Sequence, residues 1–367
     1  MPPWGLSAGL RKARELGRRT ASLAFARAGM VEPRARYQPR AADATLILQR
    51  GPNPSTDYYL RPRLEPGRPS LIADLDSDPQ HCAWLGDAGP QALMVVFCRY
   101  ADERWLAALE ARRARLARVA LFMDDDLPAV AADAGLPRSV RGKVALHFSR
   151  HAERLSDLCS ELWVSTPALA QRYRAARVLP PLPEADPPEP IADAGARVAY
   201  HGTDVHGAEQ AFVLEVARRL AGLAPQASVE LVGPPSLARR CTGLGHVEVT
   251  PQLPWPAYLE RQSGRSAAIC LAPLFAGPVN DARAPVKAFD AARLGAAALY
   301  ADAPAYRSAV RDGIDGLLLP MDAAAWAEAI AGLLADPARR LSLARAARER
   351  LVALRAQGLR LPAAPGA

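Results

Sequence analysis

"AAICLAPLFAGPVNDARAPVKAFDAARLGA", residues 267–296, decides the fold. It opens on AAICLAPL (267–274), an apolar run that is short for a helix and reads as a strand buried on both faces. A loop containing Gly277 and Asn280 follows. VKAFDAARLG (286–295) then shows helical spacing, with a proline just ahead and a glycine just past the last turn. AALYA (297–301) is the next apolar run. Strand, loop, helix, glycine and strand in that order make a βαβ unit, whose strands lie parallel.

The same alternation extends on both sides. RVAYHG (197–202), SVELVG (228–233), HVEVTP (246–251) and GLLLP (316–320) read as strands; AEQAFVLEVARRLAGL (208–223), WPAYLERQ (255–262) and AAWAEAIAGLL (324–334) read as helices. The N-terminal half repeats the theme less regularly. ATLILQ, ALMVVFCRY (92–100) and RVALFM (118–123) are strand-like, DERWLAALEARRARL (102–116) is helical, and ELWVSTPALAQRYRA (161–175) passes from strand to a helix capped at Thr166. Between the halves, LPPLPEADPPEP (179–190) is half proline and reads as a stiff extended connector.

A chain of 367 residues, half of them hydrophobic and 23% charged, is long for one core and suits two soluble domains. The expected layout is a basic arm over 1–40, a Rossmann-like acceptor-side domain over 41–180 and a linker over 181–192. A Rossmann-like donor-nucleotide domain over 193–336 follows, then a C-terminal helix over 337–357 able to cross back to the first domain, and a disordered tail over 358–367. The fold class is α/β, with two doubly wound domains facing across a cleft. Ligands of such sheets bind beyond the carboxyl ends of the strands.

Charge and motif content exclude several classes. Of the net charge of +8, the first 40 residues carry +7, so the body is near neutral and is not read as a nucleic-acid-binding surface. The basic arm, with Leu10, Ala13, Leu16 and Leu23 at roughly helical spacing, is suited to peripheral contact with anionic membrane; a solvated leader is the alternative. No apolar run reaches the length of a membrane span. The expected location is the cytoplasm, at most peripheral on the inner face of the membrane. The five scattered cysteines include no CxxC pair and read as small buried hydrophobes in a reducing compartment. Walker-type, serine-hydrolase, zinc-protease and dinucleotide-binding motifs are all missing.

Three strand-end loops hold candidate chemistry. Lys287 is one of only three lysines in the chain. With Arg283 it sits at the start of a helix, whose free N–H groups and partial positive charge add to an anion trap suited to a diphosphate. Asp290, three residues on, shares the helix face; it reads as a ribose ligand or as an ion-pair partner of Lys287. In YHGTDVHG (200–207), Gly202 allows close backbone approach, His201 and Thr203 read as phosphate or acceptor contacts, and Thr203 or Asp204 as a helix cap. In MDDD (123–126), Asp124 or Asp126 reads as the group that orients or deprotonates an acceptor hydroxyl or holds a divalent cation, with a solvent-exposed helix cap as the alternative. Arg99 and Tyr100 end a neighbouring strand. His147 and His151 lie four apart in a helix-like stretch and read as packing.

From Asp281 to Gly316 the sequence resembles the donor-binding signature of GT-B glycosyltransferases of the large retaining family that includes sucrose and mannosyl transferases. Asp290, Ala291 and Gly295 match its acid, small residue and glycine, and AALYADAPAYRSAVRDGIDGLLLP (297–320) matches the strand, Tyr306 turn and V-x-DG-x-x-GLL that follow. Asn280, Arg283, Ala284 and Lys287 match the N-x-x-[RK]-[SA]-x-x-K of a bacterial envelope-polysaccharide subgroup, as do VAYHGTDVHGAEQAF, LWVSTPALAQRY and NPSTDYYLRPRL. The resemblance spans about residues 43–355. It implies a GT-B architecture and a glycosyltransferase of the hexosyltransferase class, acting in cell-surface polysaccharide synthesis. Its partners would be a nucleotide-sugar donor, as substrate, and a glycan or lipid-linked acceptor; no cofactor is expected, and no metal is required where Arg283 and Lys287 neutralise the leaving group. Arg283 and Lys287 would hold the diphosphate, Asp290 the ribose, and Asn280 and Tyr306 would complete the donor site. The pattern departs at Ala282, where the family places its first acid. Two alternatives remain open: a sugar-nucleotide epimerase on the same fold, and a non-catalytic degenerate subunit.

Overall fold

The computed structural model describes residues 30–36, 40–203 and 206–363. The chain divides into two compact units. One runs to Pro180 and is joined by residues 360–363; the other is Pro181–Leu359. Each is built on a six-stranded, all-parallel sheet.

The first sheet contains β1 (Ala44–Gln49), β2 (Ser70–Asp74), β3 (Leu93–Cys98), β4 (Leu116–Met123), β5 (Glu161–Val164) and β6 (Arg177–Val178), in the order β2-β1-β3-β4-β5-β6. Every residue of β1, β3, β4 and β5 is buried, as parallel strands covered on both faces must be. Trp105 and Trp163 fill the space around them and are fully buried. The order reverses at β1, so the crevice between the carboxyl ends of β1 and β3 is this sheet's switch point.

The second sheet contains β7 (Arg197–His201), β8 (Ser228–Gly233), β9 (Val247–Pro251), β10 (Ile269–Ala272), β11 (Ala297–Ala301) and β12 (Leu317–Leu319), in the order β12-β11-β10-β7-β8-β9. Its switch point lies between β7 and β10, which pair directly, Ile269 with Val198 and Cys270 with Ala199. The Lys287–Arg293 helix ends on Gly295 at φ +60, the left-handed turn only glycine adopts freely. A Cβ there would also press to 3.2 Å from Pro190 Cα.

The proline-rich connector lies along the Pro337–Ala356 helix of the second unit. Arg348 Nε donates to Pro187 O (2.9 Å) and Arg355 Nε to Glu184 O (3.3 Å). Of the segment 358–367, residues through Ala363 are placed, and the Ala363 carbonyl accepts from Arg118 and Arg177 in the first unit. The basic arm proper, residues 1–29, and Asp204 lie outside the described residues. Among those described, no helix is long and apolar enough to cross a membrane. His147 and His151 do not share a helix: Phe148, at φ −123 and ψ −70, breaks the chain direction between them.

Candidate active site

The switch point of the second sheet brings together two stretches that are far apart in sequence. Lys287 Nζ donates to the carbonyl of His201, the last residue of β7, and lies 3.1 Å from Asp290 Oδ2. Arg283 Nη1 lies 3.5 Å from His206 Nε2, at the start of the Gly207–Leu223 helix. The loop after β10 and the loop after β7 therefore share one rim, with two cations on it. Asp290 is 8% exposed and holds Arg293 Nη1 at 3.2 Å with its other oxygen. The ion pair expected as the plain reading of Lys287 and Asp290 thus forms, but on a buried carboxylate at the sheet edge.

The helix start offers fewer free donors than the spacing suggests. Val286 N–H is bonded to Ala284 O, Ala288 N–H to Pro285 O and Phe289 N–H to Val286 O, and Pro285 has no N–H. The anion-holding capacity of this edge rests on the Arg283 and Lys287 side chains. Asn280 Nδ2 is spent on Phe275 O (2.9 Å), which pins the loop. Ala282, at the position of the family's first acid, is buried.

Gly202 is required by contact. A Cβ on it would fall 2.5 Å from Tyr200 Oη. Tyr306 is buried against Tyr300, ring centroids 5.0 Å apart, and burial pushes its phenol up while Arg283 pulls it down. Thr203 contributes its carbonyl, which accepts from His206 N (3.0 Å) and Gln210 Nε2 (2.9 Å), and the helix has no side-chain cap.

His201 differs from its expected role. Its imidazole is buried, with Nδ1 2.9 Å from Tyr258 Oη and Nε2 3.7 Å from Glu230 Oε1. The imidazole, and then Arg265, pull the Glu230 carboxyl down to about 2. What His201 gives the loop is its backbone carbonyl. His206 is the histidine beside the rim: burial holds its imidazole below the ordinary range, Glu209 opposes that, and Arg283 and Lys287 reinforce it.

The carboxyl edge of the first sheet carries a second polar cluster. Arg99 follows β3 at φ +71, a conformation rare outside glycine, closing a tight turn in which Tyr100 N donates to Cys98 O (2.9 Å). Its guanidinium reaches Asp124 (Nε to Oδ1, 3.2 Å), Asp125 Oδ2 (3.4 Å) and Ser55 Oγ (3.3 Å). Ser55 in turn donates to Asp124 Oδ2 at 2.6 Å. Burial raises the Asp124 carboxyl, Arg99 lowers it and Asp125 raises it.

Asp126 is not placed for chemistry. It is 5% exposed and accepts from Ala129 N, Arg172 Nη1 and Tyr173 Oη, capping the Leu127–Ala132 helix. The residues that sequence reasoning passed over here are Ser55, quoted only within NPSTDYYLRPRL, and the pairing of Arg99 with Asp124. Among the described residues no three His, Cys, Asp or Glu side chains converge as a metal site.

Residues 196–336, within the second unit, match the family model "Glycosyl transferases group 1". Solved structures share the two-unit architecture. Anabaena HepE in complex with UDP and glucose aligns at TM-score 0.54 and 13% identity, over 86% of this chain and 97% of that one. Its complex with UDP-glucose aligns at 0.53 and 14%, over 87% and 98%. TarM aligns at 0.51 and 11% over 71% of this chain, which spans about half (51%) of TarM's length. These likenesses show the fold, GT-B. A comparison with curated proteins gives no match.

Proposed function

We propose that this chain transfers a sugar from a nucleoside-diphosphate donor to a hydroxyl of a glycan or lipid-linked acceptor. Its expected place is the synthesis of bacterial cell-surface polysaccharide, in the envelope subgroup of the retaining family. The observation that carries this reading is the meeting of Lys287 with the His201 carbonyl and of Arg283 with His206 at the β7/β10 switch point. The match of residues 196–336 supports it, as do the UDP and UDP-glucose complexes of HepE on the same fold.

In this reading Lys287 acts as a point charge and Arg283 as a fork on the diphosphate, and both stabilise the charge that grows as the bond to the sugar breaks. With those cations neutralising the leaving group, a divalent metal is dispensable. Gly202 lets the diphosphate approach the backbone. Asp290 orients Lys287 and accepts from the ribose. In the first unit Asp124 is the acceptor-side carboxylate: Ser55 and Arg99 fix its orientation, and burial keeps its affinity for a proton above that of a free carboxylate. With Ala282 in place of the family's first acid, contact with the transferred sugar falls to other groups.

A thermal-shift screen with UDP-, GDP-, dTDP- and ADP-glucose tests the donor assignment. A binder at 100 times its dissociation constant stabilises by about 2.7 kcal/mol; no shift with any of the four would remove the reading. Binding should also take up protons. His206 is held down by burial and by Arg283 and Lys287, and a diphosphate on those cations offsets their effect and raises it. Around its ordinary value of about 6.5, the bound state then holds more protons, and affinity rises as pH falls through that window. Calorimetry in two buffers of different ionisation enthalpy measures the uptake; a value of zero would place the diphosphate away from His206.

A further inference from the structure

The amino edge of the first sheet, opposite the Asp124 cluster, holds a cavity that the proposed transfer does not use. Its volume is about 520 Å³, within the range of small-molecule sites. Thr45, Ser70 and Met94, at the starts of β1, β2 and β3, form part of its wall, and residues 360–363 close one side. Five arginines line it, Arg40, Arg63, Arg68, Arg118 and Arg360, against one carboxylate, Glu65. Only part of that excess is matched nearby. Arg118 is paired in bidentate fashion with Glu161, outside the lining, at 2.6 and 2.7 Å, and Arg68 with Glu65 at 3.2 Å. Arg40 gives its Nη2 to two carbonyls, Gln91 O and Ala114 O.

Arg63 is the decisive residue. It is 1% exposed, and its guanidinium donates to two neutral carbonyls, Tyr59 O (2.8 Å) and Pro180 O (2.6 Å). Among the described residues no carboxylate pairs with it. Burial pulls the guanidinium down to about 10. Carbonyls satisfy N–H groups but bring no opposite charge, and a buried cation without a counter-charge is costly. An anion in the cavity would supply it.

We propose that this cavity is an anion site separate from the β7/β10 edge, and that its ligand is a compact phosphate ester or diphosphate with at least two negative charges. Planar guanidinium forks suit such oxyanions, and several of them around one small volume demand more than a single charge.

Inorganic pyrophosphate, titrated calorimetrically into the full chain, is the probe. Lys287→Ala removes the site proposed for the donor, so this variant should retain one binding event of the two expected in the unaltered chain. Adding Arg68→Glu and Arg360→Glu, both on exposed side chains, should weaken the retained event at least tenfold, with the circular dichroism spectrum unchanged. Vesicles with and without an anionic phospholipid form the second arm. Sedimentation with the anionic vesicles that is lost on the double reversal would identify the phosphate as a lipid headgroup; pyrophosphate binding without it, as a free solute. No binding in either arm, loss of all binding in Lys287→Ala, or binding indifferent to the double reversal would overturn the proposal. A single event that survives Lys287→Ala and falls with the reversal would uphold this site while removing the donor reading.

Discussion

Lys287→Ala is expected to lower turnover with the cognate donor by about 10²–10³-fold, the usual loss when one preorganised donor to a developing oxyanion is removed. The side chain ties the helix start to the His201 carbonyl, and it sits on the rim proposed to hold the diphosphate. Two effects then add: a charge is lost from the rim, and the buried Asp290 carboxylate loses one of its ion pairs while keeping that with Arg293. Lys287→Arg should recover little, because a planar fork cannot reproduce a compact ammonium bound at once to a carbonyl and a carboxylate. Steady-state rates measured beside donor titrations separate the effects. Full turnover in the alanine variant would remove Lys287 from the reaction.

Glu161→Ala is expected to cost about 3–5 kcal/mol of stability in the first unit, the range for leaving one member of a buried ion pair alone. Glu161 accepts two bonds from Arg118 and one from Trp163 Nε1 (3.1 Å), and both ionic partners are buried on adjacent strands, β4 and β5. The variant strands the guanidinium and the indole N–H together. Replacing both buried residues, Arg118→Met with Glu161→Leu, should be far milder, because no buried charge is left behind: Arg177, the other arginine near Glu161 (3.6 Å), has a side chain 37% exposed. Urea unfolding of the three proteins checks the order; a single variant no worse than the double would show that the pair is not what holds β4 to β5.

The strands that were legible are those buried on both faces. RVALFM lies within β4, whose eight residues are all buried, and AAICLAPL contains β10. Two edge strands were not read. β6 is two residues long, and Ser70–Asp74 of β2 is half-exposed with no apolar run to announce it. At the site, the residue types around Lys287 were legible, but not their company. That Lys287 meets His201, 86 positions earlier, follows from β10 lying beside β7, and strand order is absent from local patterning. The same holds for the three aspartates. Adjacent carboxylates look alike in sequence, and only the arrival of Arg172 and Tyr173 at Asp126, and of Ser55 and Arg99 at Asp124, tells a structural carboxylate from one with reactive surroundings. His201 illustrates the converse: a histidine at a strand end invited a ligand role, but β8 and the Trp255–Gln262 helix supply Glu230 and Tyr258 to occupy it.

Residues 360–363 pack with the unit whose other residues stop at Pro180. The first unit is therefore not a contiguous stretch of polypeptide. A fragment cut from the gene at codon 180 would lack the carbonyl that receives Arg118 and Arg177, and proteolytic nicking after Leu359 would be felt at β4 and β6. Autonomous folding of that half calls for a grafted copy of the closing peptide, spliced on through a short artificial tether.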